Sequence, residues 1–164
     1  MNAQDAIRTA LQSTHQCLAS YLSDLSDADL LVRPAPSANH IAWQLGHLIS
    51  AEVGLLDKQV PGARYPQLPA GFAEQHSKAT AAAESPTGFR TKEEYLGLFN
   101  QAREATLAAL VRLSDADLDK PVTGNIARFA PTVGALLIMT SNHTLMHAGQ
   151  FTVVRRKLGK PVLF

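Results

Sequence analysis

The 164-residue chain has a single cysteine, Cys17, and a single tryptophan, Trp43. One cysteine excludes an internal disulfide and a CxxC redox or metal site, which agrees with a reducing compartment. Cys17 itself reads as a small buried apolar side chain rather than a nucleophile. No segment approaches the roughly 18 apolar residues of a membrane span, and "MNAQDAIRTALQSTHQC" lacks the basic stretch and apolar run of a secretory signal. A cytoplasmic protein with no membrane partner is the expectation. Charge excess is also missing, with 15 Lys and Arg against 14 Asp and Glu. That balance excludes a charged disordered chain and gives no pull toward nucleic acid. Strict apolar/polar alternation is absent as well, so no strand is expected.

What is present is helical periodicity, in one all-α domain covering residues 1–164 and long enough to bury a core unaided. The first helix is expected from Ala3 to Leu22, with Ile7, Leu11, Leu18 and Leu22 on one stripe, and "SDLSDADL" supplying its cap and turn residues. After Pro34 and Pro36, Ser37 or Asn39 can cap a second helix that runs to Lys58. From Pro61 to Gly88 prolines and glycines recur, with one weak helical patch at "AEQHSKATAAAE". This stretch reads as a long crossover. In "TKEE", Thr91 and Glu94 match a capping box that opens a third helix ending near Leu113. Pro131 suits the first turn of a fourth helix, which ends near Leu158 before Gly159 and Pro161, behind the cationic turn Arg155, Arg156 and Lys157. The result is a four-helix bundle with a long crossover between helices 2 and 3. "LSDADL" occurs at 25–30 and again at 113–118, and this echo suggests two similar helical hairpins.

Six histidines are present. On the fourth helix the inward stripe reads Val133, Leu136 or Leu137, Thr140, His143, His147, Gln150 or Phe151, Val154 and Leu158. Two imidazoles therefore fall where the pattern demands core residues. Residues four apart on a helix place their Cβ atoms about 5 to 6 Å apart, so both rings can reach one ion. His47, directly after Gly46 on the second helix, offers a third ligand, and Gly46 would allow close helix approach. A single buried histidine is more often hydrogen-bonded to a neighbour. Two together each leave a ring nitrogen to satisfy, which a shared ion does. HxxxH in isolation is weak, since chance produces it often. Thr144, following His143, stands where an HExxH protease needs its glutamate.

With "WQLGHL" on the second helix and "HTLMHAGQ" on the last, the chain resembles the DinB/YfiT-like superfamily of metal-binding four-helix bundles over nearly its whole length. The family patterns W-x-x-x-H-L and H-x-x-x-H-x-G-Q map the metal ligands onto His47, His143 and His147. Many members carry Glu after the first histidine of the last helix and Arg after the second. This chain has Thr144 and Ala148 there. The resemblance implies a metal-dependent thiol S-transferase or isomerase acting with a low-molecular-weight thiol such as bacillithiol, mycothiol or glutathione, or else a hydrolase.

Three imidazoles leave a divalent ion an open position, and the ligand type favours a transition metal such as Zn or Ni over Mg or Ca. A thiol or water placed there would become the nucleophile, with thiol transfer the leading reading and hydrolysis second. The site is placed near one end of the bundle, beside a pocket lined by the 61–88 crossover. A proton acceptor for hydrolysis would have to come from Glu52, His40, Glu84 or His76. His40 reads mainly as a solvated neighbour of a helix cap, and Gln150 as a hydrogen-bond partner or a packing residue. Trp43 reads as wall or core, His15 and His76 as surface residues. The basic residues Arg155, Arg156, Lys157 and Lys160 read as an ordinary helix end. A small-molecule substrate and a homodimer complete the expectation. The alternative is a stress-associated metal-binding protein without catalysis.

Overall fold

A computed structural model describes residues 1–82 and 88–163. Helix α1 (Ala3–Leu22) begins where Asn2 accepts the Asp5 N–H. A single-turn helix α2 (Asp27–Leu30) follows, then α3 (Ile41–Gln59). The crossover contains α4 (Phe72–Gln75) and a 3-10 turn at Lys78–Thr80. Helix α5 (Lys92–Leu110) opens on the expected Thr91/Glu94 capping box and stops three residues before the anticipated Leu113. Another single turn, α6 (Asp115–Leu118), and a 3-10 turn at Asn125–Arg128 lead into α7 (Val133–Lys157). No strand occurs among the described residues, so the all-α expectation holds.

Two helix starts differ from the sequence reading. His40, not Ser37 or Asn39, caps α3, its Nδ1 accepting the Trp43 N–H at 3.1 Å. Thr132 caps α7 through the Ala135 N–H, so Pro131 lies ahead of the helix. The two "LSDADL" copies are more than turns. Each folds into one helical turn closed by a capping box, Ser26 with Asp29 and Ser114 with Asp117.

The echo does not generate two hairpins, however. Helix α1 packs beside α5 and α7, and α3 packs beside the same two helices, which leaves the sequence-adjacent pairs α1/α3 and α5/α7 on the diagonals. Directions follow from side-chain bonds. Gln4 reaches the Leu110 carbonyl and Lys92 the Leu22 carbonyl, so α1 and α5 are antiparallel. Ser141 donates to the Ala10 carbonyl and Arg155 to that of Tyr21, so α1 and α7 are parallel. The residues Ile41–Ile49 share a core cluster with Tyr95, Phe99 and Phe151, whereas Leu56 joins Leu110 and Val133. Helix α3 is therefore parallel to α5 and antiparallel to α7. A parallel pair explains the crossover: the chain must travel back along the bundle, about 28 Å for a 19-residue helix.

The core divides into two apolar clusters, one toward each end of the bundle. Between them lies a buried polar layer centred on Arg103 and Glu52. The Arg103 guanidinium donates to both Glu52 oxygens at 3.0 and 2.9 Å, to the Leu11 carbonyl at 2.6 Å and to Thr144 Oγ1 at 3.0 Å. Thr106 adds a 2.6 Å bond to Glu52. One side chain thus ties α1, α3, α5 and α7 together.

Candidate metal centre

His47 lies in the second turn of α3, and His143 and His147 lie near the middle of α7. Because α3 and α7 run antiparallel, the three rings meet on the flank of the bundle at the level of the polar layer, not at its end. One nitrogen from each of the three falls within 4.8 Å of the others. Ring centroids of His47 lie 5.1 Å from His143 and 5.4 Å from His147, and the two Nε2 atoms on α7 are 3.2 Å apart. Among the described residues no fourth His, Cys, Asp or Glu joins this cluster.

Two of the rings are oriented by a neighbour outside the cluster. His147 Nδ1 donates to Gln44 Oε1 at 2.8 Å, which leaves Nε2 as a bare lone pair facing His143. Trp43 stacks on His47 with centroids 5.0 Å apart and planes 7° off parallel. Burial, with mutual repulsion between imidazoles, pushes His143 down to about 4 and His147 down to about 3. His47 is lowered too, by burial and by the Lys78 charge, against the opposing effect of a hydrogen bond to the His76 backbone. At neutral pH all three rings are neutral, the protonation state a metal ligand needs. His143 Nε2 lies 3.2 Å from the His147 Nε2 lone pair, where one tautomer donates a hydrogen bond to it and the other offers a second lone pair to a shared cation.

The other sequence candidates fall elsewhere. His40 is buried, not solvated, and packs edge-on against Phe89 while capping α3; burial first, then Arg33 and His76, pushes it down to about 4. His76 is not a surface residue. It is 1% exposed, bonded to Tyr95 Oη at 2.8 Å and the Phe72 carbonyl at 2.7 Å. Its ring lies against Gly46, where a Cβ would sit 2.1 Å from His76 Cδ2. The missing side chain at Gly46 therefore admits a crossover ring, not another long helix. His15 is half-buried against Phe99 and bonded to Asn100. Gln150 is exposed and Phe151 takes the inward position. Arg155 is fully buried, paired with Asp24 and bonded to the Tyr21 carbonyl at 2.8 Å, so it is no ordinary helix-end cation. Cys17 is half-buried and burial raises its thiol, which disfavours a thiolate. Glu84 lies outside the described residues.

Sequence reasoning missed Gln44 and Arg103. Both had a signal. Gln44 interrupts an apolar run three residues before His47, and Arg103 falls on the inward stripe Tyr95, Phe99, Thr106, Leu110 of α5. Thr144, a departure from the family pattern, belongs to the Arg103 network. Ala148, the other departure, is buried in the apolar cluster.

The family model described as DinB superfamily matches residues 10–151. Among solved structures, the chain is similar to YfiT from Bacillus subtilis, described as "a probable metal-dependent hydrolase with an unusual four-helix bundle topology". Identity there is 14%, TM-score 0.70, with 96% of this chain and 89% of that chain covered. A conserved protein from Enterococcus faecalis is similar at 16% identity and TM-score 0.68, covering 98% of this chain and 99% of that one. No curated protein matches.

Proposed function

The chain belongs to the DinB superfamily, and on that premise we propose that it is a metal-dependent enzyme whose divalent transition ion, zinc or nickel, is held by His47, His143 and His147. The observation that carries this reading is the convergence of three neutral imidazoles within 4.8 Å, with the facing Nε2 atoms 3.2 Å apart and no fourth protein ligand among the described residues. An ion bound there supplies Lewis acidity that lowers the pKa of a thiol or water in its open position. The chain's own residues hold and orient: Gln44 keeps His147 Nδ1 protonated and Nε2 free, and Trp43 fixes the plane of His47.

We place thiol S-transfer ahead of hydrolysis. A thiol activated at the centre needs no further base, whereas a water needs a proton acceptor beside it. Glu52 is the buried carboxylate near the site, and Arg103 and Thr106 occupy both its oxygens. Hydrolysis is the second reading, favoured by the description of YfiT. A cytoplasmic homodimer acting on a small molecule with a low-molecular-weight thiol completes the proposal, and the exposed apolar residues Ile138, Leu145 and Val153 on α7 suit a dimer face.

Metal content of tag-free protein, measured by elemental mass spectrometry beside His143→Ala and His147→Ala, tests the centre. The expected result is near one equivalent in the wild type and loss in both variants. A wild type that neither retains nor takes up zinc or nickel overturns the reading.

A further inference from the structure

A groove of about 540 Å³ opens beside the three histidines. His47 and His143 form its inner wall, and Leu55, Met139, Met146 and Phe129 supply most of the rest. Phe129 is 78% exposed and Met146 58% exposed. Large apolar side chains held in water at the mouth of a cleft mark a binding surface more often than chance. Phe129 is not a frayed end: its N–H and that of Ala130 both bond to the Ile126 carbonyl, at 2.9 and 3.0 Å, which fixes the loop that presents it.

Among the described lining residues Lys78 is the one cation, and no carboxylate is present. No ion pair among the described residues involves this lysine. Its backbone is anchored, because Lys78 opens the 3-10 turn ending at Thr80. Thr80 Oγ1 donates to the Gln75 carbonyl at 2.6 Å and accepts the Trp43 indole N–H at 3.3 Å. Trp43 in turn stacks on His47. The crossover therefore holds a positive charge, without an ion-pair partner among the described residues, at the rim of an apolar groove whose inner wall is the histidine cluster. Apolar walls lower the local dielectric and strengthen a charge pair made there. A single cation with no compensating acid selects for one sign of ligand.

We propose that this groove is the substrate subsite and that it takes a small organic anion with an apolar body, the anionic group paired with Lys78 and the body lying against Phe129, Met146 and Met139. Its role as a substrate subsite rests on the metal-centre reading; its binding chemistry does not require the ion.

The test compares two probes of equal shape, 4-phenylbutanoate and 4-phenylbutanamide, titrated by calorimetry into the full chain. Wild type, Lys78→Glu and Phe129→Ser are each measured after chelation and after zinc is restored, with zinc content determined on every sample. The expected result in chelated wild type is tighter binding of the carboxylate by about five-fold or more, in keeping with one partly desolvated charge pair. Lys78→Glu should abolish that preference, and Phe129→Ser should weaken both probes. Equal binding of the two probes, or a preference that survives Lys78→Glu, overturns the proposal. So does failure of both probes to bind, which together with a dimer lost in Phe129→Ser would mean that a second copy covers the groove. A Lys78-dependent preference in protein that takes up no zinc would uphold the groove and remove the metal centre; stoichiometric zinc without the preference would do the reverse.

Discussion

Gln44 accepts a hydrogen bond from the nitrogen of His147 that faces away from the cluster, and so decides which nitrogen is left for a ligand. Gln44→Leu removes the acceptor while keeping the volume. Zinc affinity, read by competition with a chromogenic chelator, should fall about 10- to 100-fold, the usual worth of a group that orients a metal histidine. Two residues along, Gly46 is equally specific. A methyl group there meets His76 Cδ2 at 2.1 Å, and His76 is held at both ring nitrogens, so it has no easy escape. Gly46→Ala should cost about 2 kcal/mol in urea unfolding. The double variant Gly46→Ala/His76→Ala should recover part of that loss, since the clash disappears with the ring.

At the scale of elements, the single-turn helices α2 and α6 have a purpose beyond filling connections. Asp27 of α2 accepts the N–H of Lys92 at 2.6 Å, adding a cap to α5, while Gly134 at the start of α7 lies 3.3 Å, as a would-be Cβ, from the Leu118 carbonyl of α6. Ser26→Ala and Ser114→Ala should each lower stability by about 1 kcal/mol, as the loss of an N-cap does. The tie between long helices is stronger. Arg103→Met leaves the Glu52 carboxylate buried without its partner, and destabilisation of about 3 to 5 kcal/mol is expected, with Glu52→Gln in the same chain restoring a part. Thermal unfolding of the four variants checks this order.

Across the whole molecule, five imidazoles are held below their ordinary range, chiefly by burial: His40, His47, His76, His143 and His147. Free histidine titrates near 6.5, so between there and about pH 4 the unfolded chain binds protons that the folded chain refuses. The stabilisation these groups contribute is fully present above pH 6.5 and is lost as the pH falls through the folded values. Metal-free protein should therefore lose on the order of a few kcal/mol between pH 7 and pH 4, read as a falling Tm. Bound zinc would raise Tm by mass action but leave this acid loss in place, because the unfolded chain still takes up the protons.

The histidine spacing, the proline breaks, the Thr91 capping box and the apolar stripes of α1 and α7 were legible in the residues alone, because each depends on neighbours within about one helical turn. They carry the four helices, the long crossover and the triad His47, His143 and His147 as candidates. What tertiary structure decided is everything that depends on which helix lies beside which. Similar "LSDADL" turns suggested hairpins, yet helices adjacent in sequence sit on the diagonals, an arrangement that short-range pattern does not encode. Parallel packing of α3 with α5 forced the crossover back along the bundle. That path buried His76 under Gly46 and brought Lys78 to the groove. Arg103 and Arg155 look like surface cations in isolation; they are buried because partners distant in sequence, Glu52 and Asp24, meet them only in the folded chain.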